Sequence, residues 1–404
     1  MSPRTVRLQT AAIFLINIAL EVTGVTAIVC GPTFQRVFEL SKTRLGLVLG
    51  AANVGMVIMS PLAGFVTHRH GSRRSLVAGL MLSGGGIVLV GVAPSFPLLL
   101  LALVVIGIGW ALVGNANATL LADLFPGSLL RVMSLASALW FASSAVSAPL
   151  IGLWLQAARN RGLGPWSFRV PYMFDLLAVL AGLVLALVAF RGRRQGTVQQ
   201  KHAQERRDPP ASDNGGAASR EWLWIPVLAL GHGLMVVVLT SWLSPLVQTK
   251  FNANDFQGGL AFGITALGLA TGRLLLARWR TSLDERHILA GSFFLGGALF
   301  AATIIAPSYP LAMAAAGLGG LGACATFPCI LSIVGSRFAR VKAKVYGLMH
   351  ASASLAGLGG PALVGLMADH GVPLWAALGI SPVSAWAMGF LALIWIRSRP
   401  ERTT

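Results

Sequence analysis

Long apolar runs alternate with short polar gaps along the whole chain. Twelve runs reach or approach the roughly 20 residues that a helix needs to cross a bilayer. They are Leu8–Phe34, Thr43–Thr67, Ser75–Ala93, Phe96–Leu124, Val132–Ala157, Pro171–Phe190, Trp222–Val247, Phe256–Ala277, Ile288–Ala306, Tyr309–Phe338, Val345–Met367 and Leu374–Ile396. The first is too long for a signal peptide, contains Glu21 and lacks a small-residue cleavage pattern, so it is read as a span. One gap is long. "RGRRQGTVQQKHAQERRDPPASDNGGAASR" is polar and rich in Gly, Pro and charge, which predicts a flexible linker over 191–220. It separates a six-span unit, 1–190, from a second, 221–404.

The two units repeat one design. "VAPSFPL" at Val92–Leu98 returns as "IAPSYPL" at Ile305–Leu311, an offset of 213. At that offset Pro32 matches Pro245, Gly46 matches Gly259, Gly50 matches Gly263, and "RVMSLASA" from Arg131 matches "KVYGLMHA" from Lys344. Packing glycines and prolines in register predict two pseudo-symmetric six-helix bundles in an all-α membrane protein.

Charge orients this arrangement. With the N-terminus placed in the cytoplasm, 23 of the 31 Lys and Arg fall in inside segments, 7 fall outside, and Arg273 is left within a span. Cytoplasmic segments carry such an excess, so both termini are expected in the cytoplasm of a bacterial-type inner membrane. Composition agrees: 55% of residues are hydrophobic and 11% charged, against about 25% charged in soluble proteins. The net charge of +18 is spread through the gaps between spans, and nucleic-acid binding is not expected. Cys30, Cys324 and Cys329 lie inside apolar runs without disulfide or metal spacing. No cofactor, metal or enzymatic nucleophile–base set is expected.

Six plus six spans with a cytoplasmic linker resemble the major facilitator superfamily. The loop motif of that family is matched by Gly64, Arg69, Gly71, Arg73 and Arg74 in "GFVTHRHGSRR", with His68 where aspartate is usual. "APLIG" (Ala148–Gly152) and "GPALVG" (Gly360–Gly365) resemble its proline-glycine patterns in the fifth and eleventh helices. The resemblance implies two halves rocking around a central cavity. It also implies a gate in which Asp123 pairs with Arg69 or Arg73, the competing reading being that these arginines only anchor topology.

Charges within spans are costly and usually face a cavity or a partner. Glu21 shares a polar, small-residue face with Asn17, Gly24 and Gly31. It is read as a proton-coupling carboxylate, or else as a neutral acid bonded to Asn17 or a neighbouring helix. Arg273, in "LATGRLLLARW", continues a small stripe through Gly259, Gly263, Ala266 and Ala270 that should face a helix or cavity. Its repeat counterpart is Ser60, so the repeat does not require the charge. Its "GR" context resembles the eighth helix of organic-anion and monocarboxylate carriers, which implies a substrate carboxylate there. Snorkelling towards Arg278 is the alternative. Asn17, Trp140 and His350 are further candidates for the substrate site. Trp242 offers a ring for stacking on a ligand, with interfacial or core packing the commoner role, while His232 reads as a core histidine and Asp175 as interfacial. The expectation is a functional monomer in the lipid bilayer, moving a small organic acid with protons by alternating access. The competing function is efflux of lipophilic or cationic compounds, with Glu21 as the cation's partner.

Overall fold

The computed structural model describes residues 3–125, 129–191, 221–278, 284–337 and 342–395. All of the expected linker except Arg191 lies outside them. In lipid, backbone polar groups must be satisfied within the protein, so apolar runs become helices. These are α1 (Pro3–Val29), α2 (Gly31–Val37), α3 (Lys42–His70), α4 (Ser72–Val92), α5 (Phe96–Leu124), α6 (Leu129–Asn160) and α7 (Trp166–Ala189). They are followed by α8 (Trp224–Phe251), α9 (Asp255–Arg278), α10 (Glu285–Ile305), α11 (Tyr309–Ala323), α12 (Thr326–Arg337), α13 (Lys342–Asp369), α14 (Leu374–Ala377) and α15 (Ile380–Trp395). They make twelve candidate membrane spans, and the described residues contain no strand.

Four runs differ in detail from the apolar pattern. The first breaks at Cys30, with Pro32 in the first turn of α2, because proline lacks the N–H that a continuing helix would use. The tenth divides into α11 and α12 at Cys324–Ala325, and the twelfth into α14 and α15. The sixth starts at Trp166 and carries Pro171 inside the helix; the Ser167 carbonyl, which Pro171 has no N–H to bond, accepts instead from Trp154 Nε1 at 2.9 Å.

One hydrophobic cluster, including Ile16, Leu80, Ile106 and Phe168, fills the first six spans. A second, including Leu228, Leu239, Phe293 and Phe300, fills the last six. Across the seam between halves, α3 packs on α13 and α6 packs on α9. Lipid tails are as apolar as leucine, so such crossings depend on close backbone approach. A Cβ on Gly46 would stand 2.3 Å from the Pro361 carbonyl oxygen, and one on Gly259 would stand 2.4 Å from that of Ala148. The two glycines are repeat counterparts, so each makes the same contact at one of the two crossings.

Trp224 stacks on Trp395 at the end of the molecule that holds residue 3 and residue 395, here the terminal end. At the opposite, far end the halves are latched. Asp369, at the end of α13, accepts from Lys42 N at 2.9 Å, Thr43 N at 2.8 Å and Thr43 Oγ1 at 2.6 Å, capping α3 from across the seam. Gln156 Oε1 accepts from Asp255 N at 3.1 Å, capping α9 in the same way. Offset by 213, Gln156 corresponds to Asp369 and Lys42 to Asp255, so the two caps are also symmetric. The buried Asp255 carboxylate meets Arg36 at 3.3 Å and Arg159 at 3.8 Å.

Candidate functional site

Glu21 and Arg273 come from opposite halves and converge on one helix of the first half, α6. Glu21 is 8% exposed and accepts a hydrogen bond from Ser144 Oγ. The Trp140 indole bears on the same carboxyl. One turn earlier on α1, Asn17 Oδ1 accepts from Asn117 Nδ2 of α5 at 2.7 Å. The polar stripe of α1 therefore faces α5 and α6. Its small members make room: a Cβ on Gly24 would stand 3.0 Å from Trp110.

Arg273, also 8% exposed, donates from Nη1 to Ser137 Oγ of α6. Its guanidinium lies over the Phe141 ring, 4.5 Å from the centroid. Its Nε is buried without a hydrogen-bond partner. Helix polarity explains why it does not reach for the nearer surface. The α9 chain runs from the far end to the terminal end, and side chains tilt towards a helix's N-terminus. Arg273 therefore leans into the protein, away from Arg278. The small stripe ahead of it packs on α6, Gly263 against Ala145 as Gly259 against Ala148.

Ser137, Phe141 and Ser144 lie at i, i+4 and i+7 on α6, with Trp140 beside them. The two serines are about 10 Å apart along the axis. A strip with an aromatic floor thus holds a guanidinium at one end and a carboxyl at the other. No Glu21–Arg273 ion pair within 4 Å closes the gap, although each charge acts on the other. Such a strip can take a flat, largely apolar molecule with one group of two oxygens, which the planar fork of arginine matches. The sequence reading missed Ser137, Phe141 and Ser144. A signal was available in the repeat, since Ser137 is the counterpart of the candidate His350.

The other candidates fall in different places. His350 is exposed, with its ring edge-on to Phe327 at 5.6 Å. Phe327 in turn contacts His232 at 5.2 Å, and His232 Nδ1 lies 2.7 Å from Thr326 Oγ1. His232 is thus packed among side chains of its own half. Trp242 is buried and donates to the Pro361 carbonyl at 3.1 Å, which is a structural contact. Asp175 is not interfacial. It is 2% exposed, because the early start of α7 at Trp166 carries it about 13 Å into that helix. Arg69, Arg73 and Asp123 share the terminal end, Arg69 exposed and the other two half-buried. No ion pair joins either arginine to Asp123 among the described residues. Among the described residues no three His, Cys, Asp or Glu side chains gather as a metal site would need.

The sequence profile described as Major Facilitator Superfamily matches residues 10–281 and 228–404. The 2-nitroimidazole transporter of Escherichia coli K12 is 27% identical over 89% of this chain and 88% of its own length. A multidrug resistance protein B homolog of Mycobacterium tuberculosis is 26% identical over 45% of this chain and 33% of its own. Among solved structures, the transporter FucP in its outward conformation superposes with a TM-score of 0.65 at 17% identity, covering 98% of this chain and 100% of that one. A second structure, of the Escherichia coli fucose:proton symporter FucP, gives 0.65 at 16% identity, with 97% and 98% covered. With its twelve spans and a profile match along nearly the whole sequence, the chain belongs to the Major Facilitator Superfamily and is a membrane transporter, not an enzyme.

Proposed function

We propose that this transporter is a secondary carrier for small planar organic compounds that bear a carboxylate or nitro group, and that it moves the carboxylates with protons. The observation that carries the reading is the Arg273 guanidinium, buried at the seam, laid over Phe141 and with Nε unpartnered. Carboxylate and nitro groups share a flat pair of oxygens, which suits that fork. The relative that spans most of the chain is named for a nitro compound, 2-nitroimidazole. The two classes share the flat oxygen pair, while only the carboxylate brings a net charge to the site.

Charge balance supports proton coupling. An anion on Arg273 leaves the Glu21 carboxylate uncompensated in a low-dielectric seam, and a proton on Glu21 restores neutrality. Reorientation of loaded and empty forms alone then couples the two fluxes. The excess of basic residues at the terminal end supports cytoplasmic termini. The match to multidrug resistance proteins over part of the chain favours a second reading, export of lipophilic cations paired with Glu21.

Uptake into proteoliposomes with an imposed pH gradient separates these. The panel is 2-nitroimidazole, benzoate and a cationic dye. The wild type is expected to move the first two. Arg273→Lys, which keeps the charge and loses the fork, should lower their uptake about tenfold or more, consistent with loss of a charge-assisted bidentate contact. Dye transport that is insensitive to Arg273→Ala and lost in Glu21→Gln would establish the second reading instead.

A further inference from the structure

Away from the seam, a groove of about 510 Å³ opens on the flank of the first half between α4 and α7. Ile87, Val88 and Leu176 line its apolar length, and Trp166 and Arg169 stand at one end. Tyr172 forms part of the wall. Val88 and Trp166 are exposed on the flank, in positions that a bilayer covers. From Trp166 to Leu176 the groove follows α7 for about 15 Å. That is half of a hydrocarbon layer about 30 Å thick, the depth of one leaflet.

The polar end has a specific chemistry. The Arg169 guanidinium stacks on Trp166, 5.5 Å from the ring centroid, and its Nε is buried without a partner. Among the described residues no carboxylate lies within 4 Å of it. The nearest acid along α7, Asp175, is buried deeper in the bundle. Tryptophan is enriched where headgroups begin, and an arginine there offers paired donors to phosphate. A cation without a protein counter-ion, placed at the mouth of an apolar channel one leaflet deep, complements a molecule with a phosphate at one end and a hydrocarbon chain at the other.

We infer that this groove is a binding site for a glycerophospholipid of the far-end leaflet, its phosphodiester on Arg169 beside Trp166 and one acyl chain along Ile87, Val88 and Leu176. Two variants test the two ends separately. Arg169→Ala removes the phosphate partner. Val88→Trp fills the channel from an exposed position where a large apolar side chain is tolerated, and leaves Arg169 in place.

The experiment is native mass spectrometry of the full chain in detergent, titrated with phosphatidylglycerol, with and without excess inorganic phosphate. The wild type should retain one lipid through detergent removal. Each variant should need about tenfold more lipid for the same occupancy, as expected for a lost charge-assisted contact or a blocked chain. Equal retention by wild type and both variants would overturn the site. Displacement of the lipid by inorganic phosphate alone would overturn the lipid as its occupant.

Discussion

A buried arginine is worth placing only if something repays its desolvation, and at Arg273 three contacts are visible. They are Ser137, the face of Phe141, and the field of Glu21. Cation–π contacts are worth roughly 0.5–2 kcal/mol, more when desolvated. Phe141→Leu keeps the volume roughly and removes the ring, so it should raise the apparent KM for 2-nitroimidazole and benzoate by about threefold to thirtyfold at unchanged expression. An unchanged KM would show that the ring does not position the fork. Arg273 stood out in the sequence because a lone charge in an apolar run is conspicuous. Its direction was also readable, since α9 runs towards the terminal end and its side chains tilt the other way. Ser137 and Ser144 were not conspicuous: serines are ordinary in spans, and periodicity does not say which helix a face meets.

Helices α3, α6, α9 and α13 show what the small-residue stripes are for. Gly46 and Gly259 lie where a side chain would strike a backbone carbonyl of the opposite half, and backbone cannot swing aside as a side-chain tip can. Gly46→Val should therefore destabilise the latched far end by about 1–3 kcal/mol, the usual cost of overpacking. The readout is a cysteine placed at Asn53, in the α3–α13 crossing, probed with a membrane-impermeant maleimide from the far side. Labelling should accelerate in Gly46→Val. It should accelerate less in Asp369→Ala, which removes only the cap, worth about 0.5–2 kcal/mol. No change in either variant would mean that these contacts do not hold the far end shut. The glycines were legible because they recur at a fixed offset. The caps were not, because a terminal Asp or Gln reads as ordinary loop polarity until the opposite helix end is brought beside it.

At the scale of the whole molecule, symmetry and its violation divide the work. Symmetric elements, the glycine crossings and the paired caps, build the seam. The asymmetric ones give it charge: Arg273 matches Ser60, and Glu21 matches Leu234. That division was largely visible in the sequence, because offset matching separates what both halves need from what one half alone carries. What matching could not supply was the third partner, α6, which ties both charges to one face. The central claim is that a carboxylate substrate on Arg273 is accompanied by a proton on Glu21. Simultaneous measurement of substrate and proton flux tests it, with labelled substrate and a trapped pH dye in the same proteoliposomes. The wild type should show lumenal pH changing in step with benzoate movement, while Glu21→Gln should exchange benzoate across the membrane with no accompanying proton movement. A Glu21→Gln carrier that still moved protons with benzoate at the wild-type ratio would contradict the account.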